Sequence, residues 1–285
     1  MTTPPALLIA GHGTRDESGA EALRALVHTV GERHPEVPVA GGFFGPAPTE
    51  PTLGEAVAGL VARGADRIAA VPLLLAPTGE VRAALPEALE RIREDHPGLG
   101  FACAAEPGPG PKLLDALERR VEQALGSGAR RPQDLARTTV LLVGRGAAEP
   151  QANAEVARAA RLLFEGRGFA GVETAFITQA WPDVPAGLDR CAALATAAPG
   201  VVGPTRIVVM PYFLFSGGLM ERLCMQTEGW AAAHPGTEVY GANVIGPGPE
   251  LAEAVMERYL ETVAGALRGA GLPGGEGHGE HAGAR

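Results

Sequence analysis

At 285 residues, 46% of them apolar, the chain is long enough to bury cores for two domains of ordinary size. Its 33 acidic against 24 basic residues, a formal net charge of −9, exclude a general nucleic-acid binder, which needs a basic face. No apolar run approaches the roughly 20 residues that span a bilayer. The opening MTTPPALLIAGHG has neither a basic leader nor an apolar stretch of export length. The three cysteines, Cys103, Cys191 and Cys224, form no short-spaced metal pair. These features predict a cytoplasmic protein with reduced thiols and no nucleic-acid or membrane partner.

In chain order, short apolar runs alternate with amphipathic segments. Strands are predicted near Ala6–Ala10, Val37–Phe43, Arg67–Leu75 and Gly100–Ala105, and helices near Gly19–Arg33, Thr52–Arg63, Glu80–Asp95 and Pro111–Leu125. Leu23, Leu26, Val27 and Val30 make one helical stripe. Unbroken runs such as IAAVPLLL suit strands covered on both faces, as in a parallel sheet. The scheme then recurs, with strands near Thr139–Val143, Val172–Ile177, Arg206–Leu214 and Glu238–Val244.

The recurrence is a true internal repeat. LLIAGHGTRD (7–16) aligns with LLVGRGAAE (141–149), an offset of 133 (145 − 12) that sets His12 opposite Arg145. GADRIAAVPLLL from Gly64 aligns with GPTRIVVMPYFL from Gly203 at 139, and His96-Pro97-Gly98 with His234-Pro235-Gly236 at 138. GPGPKL from Gly108 matches GPGPEL from Gly246 at the same 138. A repeat of this length implies two similarly folded units. The predicted organisation is a first unit at 1–127, a linker at 128–138, a second unit at 139–267 and a Gly-rich disordered tail at 268–285. Strand–helix alternation makes the fold class α/β with right-handed crossovers.

In open α/β sheets, ligands bind beyond the carboxyl ends of the strands, where the strand order reverses. His12, between two glycines after the first strand, is therefore a candidate metal ligand or general base, or else a turn histidine bonded to backbone. Glu80 opens the helix after the third strand. It is either a carboxylate paired with His12 across a cleft or a helix-start acid meeting the positive dipole end. For Asp16, Glu17 and Glu21 the helix-start role is the stronger reading. Arg15, Arg82 and Arg145 near strand tips are candidate clamps for substrate carboxylates, against the plainer alternative of solvated arginines. GHGTRDESG lacks the GxGxxG spacing and no Walker loop is present, so no nucleotide cofactor is expected. Met220, Cys224 and Met225 read better as a helical core stripe than as soft metal ligands. His278 and His281, with Glu276 and Glu280, could hold a divalent ion loosely, although a disordered tail is the simpler reading.

His12 in LLIAGHGTRD, the stretch PLLLAPTGEVRAALP and second-half segments such as VGRGAAEPQANAEV and MPYFLFSGGLMERL resemble the sirohydrochlorin chelatase family. That is the cobalto- and ferrochelatase group of class II chelatases, in its long two-repeat form. The resemblance covers about residues 5–267. It implies two flavodoxin-like lobes, each a short, mostly parallel sheet flanked by helices, with a tetrapyrrole in the cleft between them. It also implies a lyase that inserts Fe²⁺ or Co²⁺ into sirohydrochlorin without ATP, in siroheme or cobalamin biosynthesis. The metal is then a substrate, and the same donors accept Ni²⁺ as well. His12 falls on the family's first active-site histidine. At the second, Gly79 matches but the histidine position holds Glu80, a following aspartate position holds Ala84, and GGFFGPAPTEP lacks the usual acidic residue after the second strand. The resemblance therefore implies His12 and Glu80 as catalytic and metal-binding residues, with Arg15, Arg82 and Arg145 as substrate-binding residues. Protoporphyrin-type ferrochelatases are similar in using a His/Glu pair. Two alternatives stay open: a degenerate paralogue that carries a tetrapyrrole or a metal without catalysis, and a same-fold enzyme recruited to another metal-dependent reaction. Either a monomer or a homodimer is compatible with the sequence.

Overall fold

The structure is a computed structural model, and it describes residues 4–13, 17–45, 49–126, 132–197 and 205–270. The first half runs β1 (Ala6–His12), α1 (Glu17–Arg33), β2 (Val39–Phe44), α2 (Leu53–Ala62), β3 (Arg67–Leu73), α3 (Gly79–Asp95), β4 (Gly100–Cys103) and α4 (Pro111–Leu125). After a short α5 (Pro132–Leu135), the second half runs β5 (Thr138–Gly144), α6 (Pro150–Phe164), β6 (Gly171–Phe176), α7 (Val184–Ala197), β7 (Thr205–Pro211), α8 (Gly218–Ala233), β8 (Thr237–Gly241) and α9 (Pro249–Ala270). Each half makes a four-stranded parallel sheet, in the orders β2-β1-β3-β4 and β6-β5-β7-β8. The α/β class and the two like lobes expected from the repeat are what the chain forms. No helix among the described residues is long and apolar enough to cross a membrane.

Successive residues of a strand point to opposite faces, so each unbroken apolar run feeds two cores. Leu8 and Ala10 of β1 pack with Leu53, Val57 and Leu60 of α2 and Leu85 and Leu89 of α3 on the outer face of the first sheet. Leu141 and Val143 of β5 do the same against Val184 and Leu188 of α7 and Leu223 and Trp230 of α8. The inward faces, Leu7 and Ile9 on one sheet and Val140 and Leu142 on the other, join a single central core with α1, α4, α6 and α9.

That central layer exchanges helices. Although α4 follows the first sheet, it packs on β7, β8 and α6, and α9, which follows the second sheet, packs on α1, β3 and β4. The exchange is tied by polar contacts. The Arg120 guanidinium donates to the Ile245 carbonyl at 2.7 and 3.2 Å, and Arg167 pairs with Asp115 and Glu118 of α4 at 2.8 and 3.0 Å. The Tyr259 hydroxyl donates to the Pro5 carbonyl at 2.6 Å, and Glu253 pairs with both Arg33 and Lys112. Each half therefore lends its last helix to the other, and the lobes share one core.

Several apolar runs outlast their strands. The predicted third strand reaches Leu75 and its repeat copy Leu214, but the ladders end at Leu73 and Pro211. The residues beyond, Leu74 to Ala76 and Tyr212 to Phe215, line a cavity. Their hydrophobicity serves a binding wall and not a longer sheet. The repeated His-Pro-Gly segments cap helices: His96 and His234 are the C-cap residues of α3 and α8. The stripe on α8 is Leu223, Thr227 and Trp230, whereas Met225 is 67% exposed and Cys224 is exposed as well, which corrects the core-stripe reading of those two residues.

Candidate active site in the cleft between the lobes

A cavity of about 880 Å³ opens where the carboxyl ends of β1, β3, β5 and β7 face one another. That volume lies within the roughly 300–1,000 Å³ of small-molecule sites. Its wall is mostly apolar: Phe43, the segment Leu73–Pro77, Val156 and the segment Tyr212–Phe215. In each sheet the first and third strands are neighbours, Gly11 pairing with Leu73 and Val143 with Pro211. The strand order reverses there, so the loops leave to opposite sides and open a crevice. Among the described lining residues, only His12, Glu80 and Arg145 carry side chains that charge near neutral pH.

His12 ends β1 and is half-buried. Its ring meets the Phe44 ring edge-on, with centroids 5.5 Å apart and planes at 85°. Gly45 lies next to the ring with a φ of +107° that disfavours a side chain, and an added Cβ would sit 3.1 Å from Nε2. Burial lowers the His12 pKa below its ordinary value, and the charge of Arg145 lowers it further. The imidazole is therefore neutral near pH 7, with a lone pair free for a cation or a proton. His12 and Arg145 line the same cavity, so the aligned repeat positions face one cleft.

Arg145 follows β5 and is exposed. Its carbonyl accepts from the backbone N–H and Oγ1 of Thr178, both at 2.9 Å. The next residue, Gly146, has φ +87°, and an added Cβ would fall 1.8 Å from the Thr178 carbonyl oxygen. Only glycine permits that approach, so the tip bearing the guanidinium is pinned to the loop after β6. Asn153 clips the same tip from α6, accepting from the Ala147 N–H at 2.9 Å and donating to its carbonyl at 2.8 Å. Sequence reasoning passed over Asn153 and Gln179, which also line the cavity. An asparagine in a first helical turn, able to reach back to the preceding loop, was the available signal for the former.

Glu80 lies in the first turn of α3, whose N-cap Thr78 accepts from Val81 N–H at 3.4 Å. Val81 and Ala84 line the cavity with it. Arg82 does not; its Nε donates to Glu106 at 2.6 Å, an ion pair that raises its already high pKa. Arg15, His278 and His281 lie outside the described residues. Among the described residues, no three His, Cys, Asp or Glu side chains gather as a metal cage. The cleft thus offers a divalent ion one imidazole and one carboxylate, and an acidic ligand one guanidinium. Tyr212 adds a buried hydroxyl on the wall that has no hydrogen-bond partner among the described residues.

Comparison with known proteins bears on what such a cleft is for. The sirohydrochlorin cobaltochelatase of Priestia megaterium is 28% identical over 264 residues, covering 92% of this chain and 81% of that protein. The sirohydrochlorin ferrochelatase of Bacillus subtilis (strain 168) is 28% identical over 262 residues, covering 91% and 92% respectively. A solved structure of SirB from Bacillus subtilis with Fe³⁺ matches with a TM-score of 0.75 at 26% identity, over 93% of this chain and 98% of that one. The CbiX family model matches residues 6–124 and again 139–262, one copy for each sheet, and the chain belongs to the CbiX family.

Proposed function

We propose that the protein is a tetrapyrrole metallochelatase that inserts Fe²⁺ or Co²⁺ into sirohydrochlorin, with the metal as substrate. The observation that carries this reading is that His12 from a strand end, Glu80 from a helix start and Arg145 from a loop share one apolar cavity, an imidazole, a carboxylate and a guanidinium among its described lining residues. Its similarity to proteins named cobaltochelatase and ferrochelatase supports both metals.

Insertion requires a divalent ion to lose water and the macrocycle to lose two pyrrole protons. The neutral His12 imidazole suits borderline ions such as Fe²⁺, Co²⁺ and Ni²⁺, and the Glu80 carboxylate completes a two-donor hold or accepts a proton. Two donors leave most coordination positions to water or to the incoming pyrrole nitrogens. A closed four-ligand site would instead retain the ion, as structural sites do. The apolar walls take the macrocycle face, and Arg145 meets a peripheral carboxylate, for which its planar guanidinium is suited.

The test is an absorbance titration of sirohydrochlorin with Co²⁺ or Fe²⁺ at catalytic protein concentration. Many equivalents of metallated product per protein, formed above the spontaneous rate, are expected. Saturation at one equivalent would instead make the protein a carrier.

A further inference from the structure

The residue that begins α6 does not serve its own helix. Glu149 occupies the N-cap position of α6 and makes no side-chain bond to that helix's free amides. Ser, Thr, Asp or Asn would ordinarily bond one of them. The Glu149 carboxylate instead accepts a hydrogen bond at 2.8 Å from the backbone N–H of Gly79, 70 residues earlier and in the other half. Gly79 is the first residue of α3 and Glu80 is the second. Both carboxylate oxygens sit close, 3.7 Å from where a Gly79 Cβ would lie. The first amides of a helix lack intrahelical acceptors and carry the positive end of its dipole, so an anion there makes a strong, directional contact.

The loop that carries Glu149 is itself fixed. Asn153 brackets Ala147 through two hydrogen bonds, and Thr178 holds the Arg145 carbonyl. The anchored backbone from Arg145 to Ala147 therefore carries Glu149, whose single bond to Gly79 reaches the turn that bears Glu80. On the other side of the cleft Ser18 Oγ donates to the Ser216 carbonyl at 3.2 Å, and Asp16, the residue aligned with Glu149, lies outside the described residues.

We infer that Glu149 is a positioning residue that clasps α3 to the second lobe and holds Glu80 at its place in the cavity it shares with His12. The inference rests on the proposed role of Glu80 in metal insertion. Glu149 touches neither the metal nor the macrocycle in this role; it acts through the helix start it caps.

Two measurements on the full chain test it. Hydrogen exchange at the Gly79 amide reads the clasp directly: Glu149→Ala is expected to accelerate it at least about tenfold, and Glu149→Gln, whose amide oxygen can accept the same bond, to preserve most of the protection. Unchanged Gly79 exchange in Glu149→Ala would overturn the clasp whatever the activity. Steady-state insertion of Co²⁺ into sirohydrochlorin reads the positioning. Glu149→Ala should lower kcat about tenfold with tetrapyrrole affinity held within about threefold, and Glu149→Gln should recover most of the rate. In a Glu80→Gln background the same Ala substitution should cost less than about twofold, because the group it positions is already disabled. An undiminished loss in that background, or no loss in the wild-type background, would overturn the positioning role. Wild-type protein that inserts no metal above the spontaneous rate would sink the proposed function, and Gly79 exchange would still decide the clasp.

Discussion

Strand for strand the two halves are alike, with the same order, the same parallel ladders and the same reversal between first and third strands. They part company at the tips that face the cleft. Where the first half has His12, the second has Arg145; where the first has Glu80, the second, at the offset of 139, has Leu219; and where the first has Leu73, the second has Tyr212. The two halves aim their strand ends into one cavity, where the first half places an imidazole and a carboxylate, the proposed metal-binding pair, and the second a guanidinium. Two facing histidine tips would offer the ion two competing places. With arginine on one side, the proposed site offers the ion one place, and burial and the opposing positive charge lower the pKa of the imidazole there.

The comparison is broken most directly at His12. His12→Ala should reduce insertion to the spontaneous rate, since nothing in the second half replaces the imidazole. Turnover surviving in that variant would place the reaction elsewhere. Glu80→Gln keeps shape but removes charge and base, and should lower the insertion rate by roughly 10²-fold. If Glu80 served only the helix start, the same change would cost at most about 1 kcal/mol of stability by chemical or thermal unfolding, with turnover retained. Glu80→His, the residue that family resemblance places there, should keep activity.

Arg145→Ala sharpens the division of labour. It should weaken sirohydrochlorin affinity by about tenfold or more, the worth of one charge-assisted contact, while single-turnover insertion at saturating tetrapyrrole is unaltered. It should also move the acid limb of the pH–rate profile upward. A His12 pKa held below 6.5 leaves the imidazole neutral, and active, down to that lowered value, and removing the arginine's charge lets protonation begin at higher pH. A collapse of the chemical step at unchanged affinity would reverse the roles assigned to the two halves. The smallest effect concerns the wall: Tyr212→Phe removes a buried hydroxyl with no partner among the described residues and should leave unfolding free energy unchanged or raise it by about 1 kcal/mol. A loss of stability would mean that the hydroxyl is satisfied.

How far the site was legible depended on whether its signal was local. His12 and Arg145 stand out because an apolar strand ending in Gly-X-Gly exposes X at a sheet tip, and the repeat aligns the two. Glu80 was found by its place at the start of the helix after the third strand. Arg82 lies two residues from Glu80, and positions i and i+2 of a helix do not share a face. The sequence reading nevertheless set both at the cleft, whereas Glu80, Val81 and Ala84 line the cavity and Arg82 is bound to Glu106. Glu149 gave no such signal, because its partner amide is 70 residues away and its own position looked like an ordinary helix start.

The sequence by itself determined the class of fold, the two sheets, their strands and the ends at which a ligand would be met, since periodicity, punctuation by glycine and proline, and repetition are local properties of a chain. Only the tertiary structure decided which lobe each terminal helix would cover. The apolar stripes of α4 and α9 state that each helix must be buried, and Leu113, Leu117, Val255 and Tyr259 would fit either sheet by hydrophobicity alone. Hydrophobic burial has no direction. The choice of partner came from shape and from specific polar ties, such as Arg120 on the Ile245 carbonyl and Tyr259 on the Pro5 carbonyl, that exist only once the halves have come together.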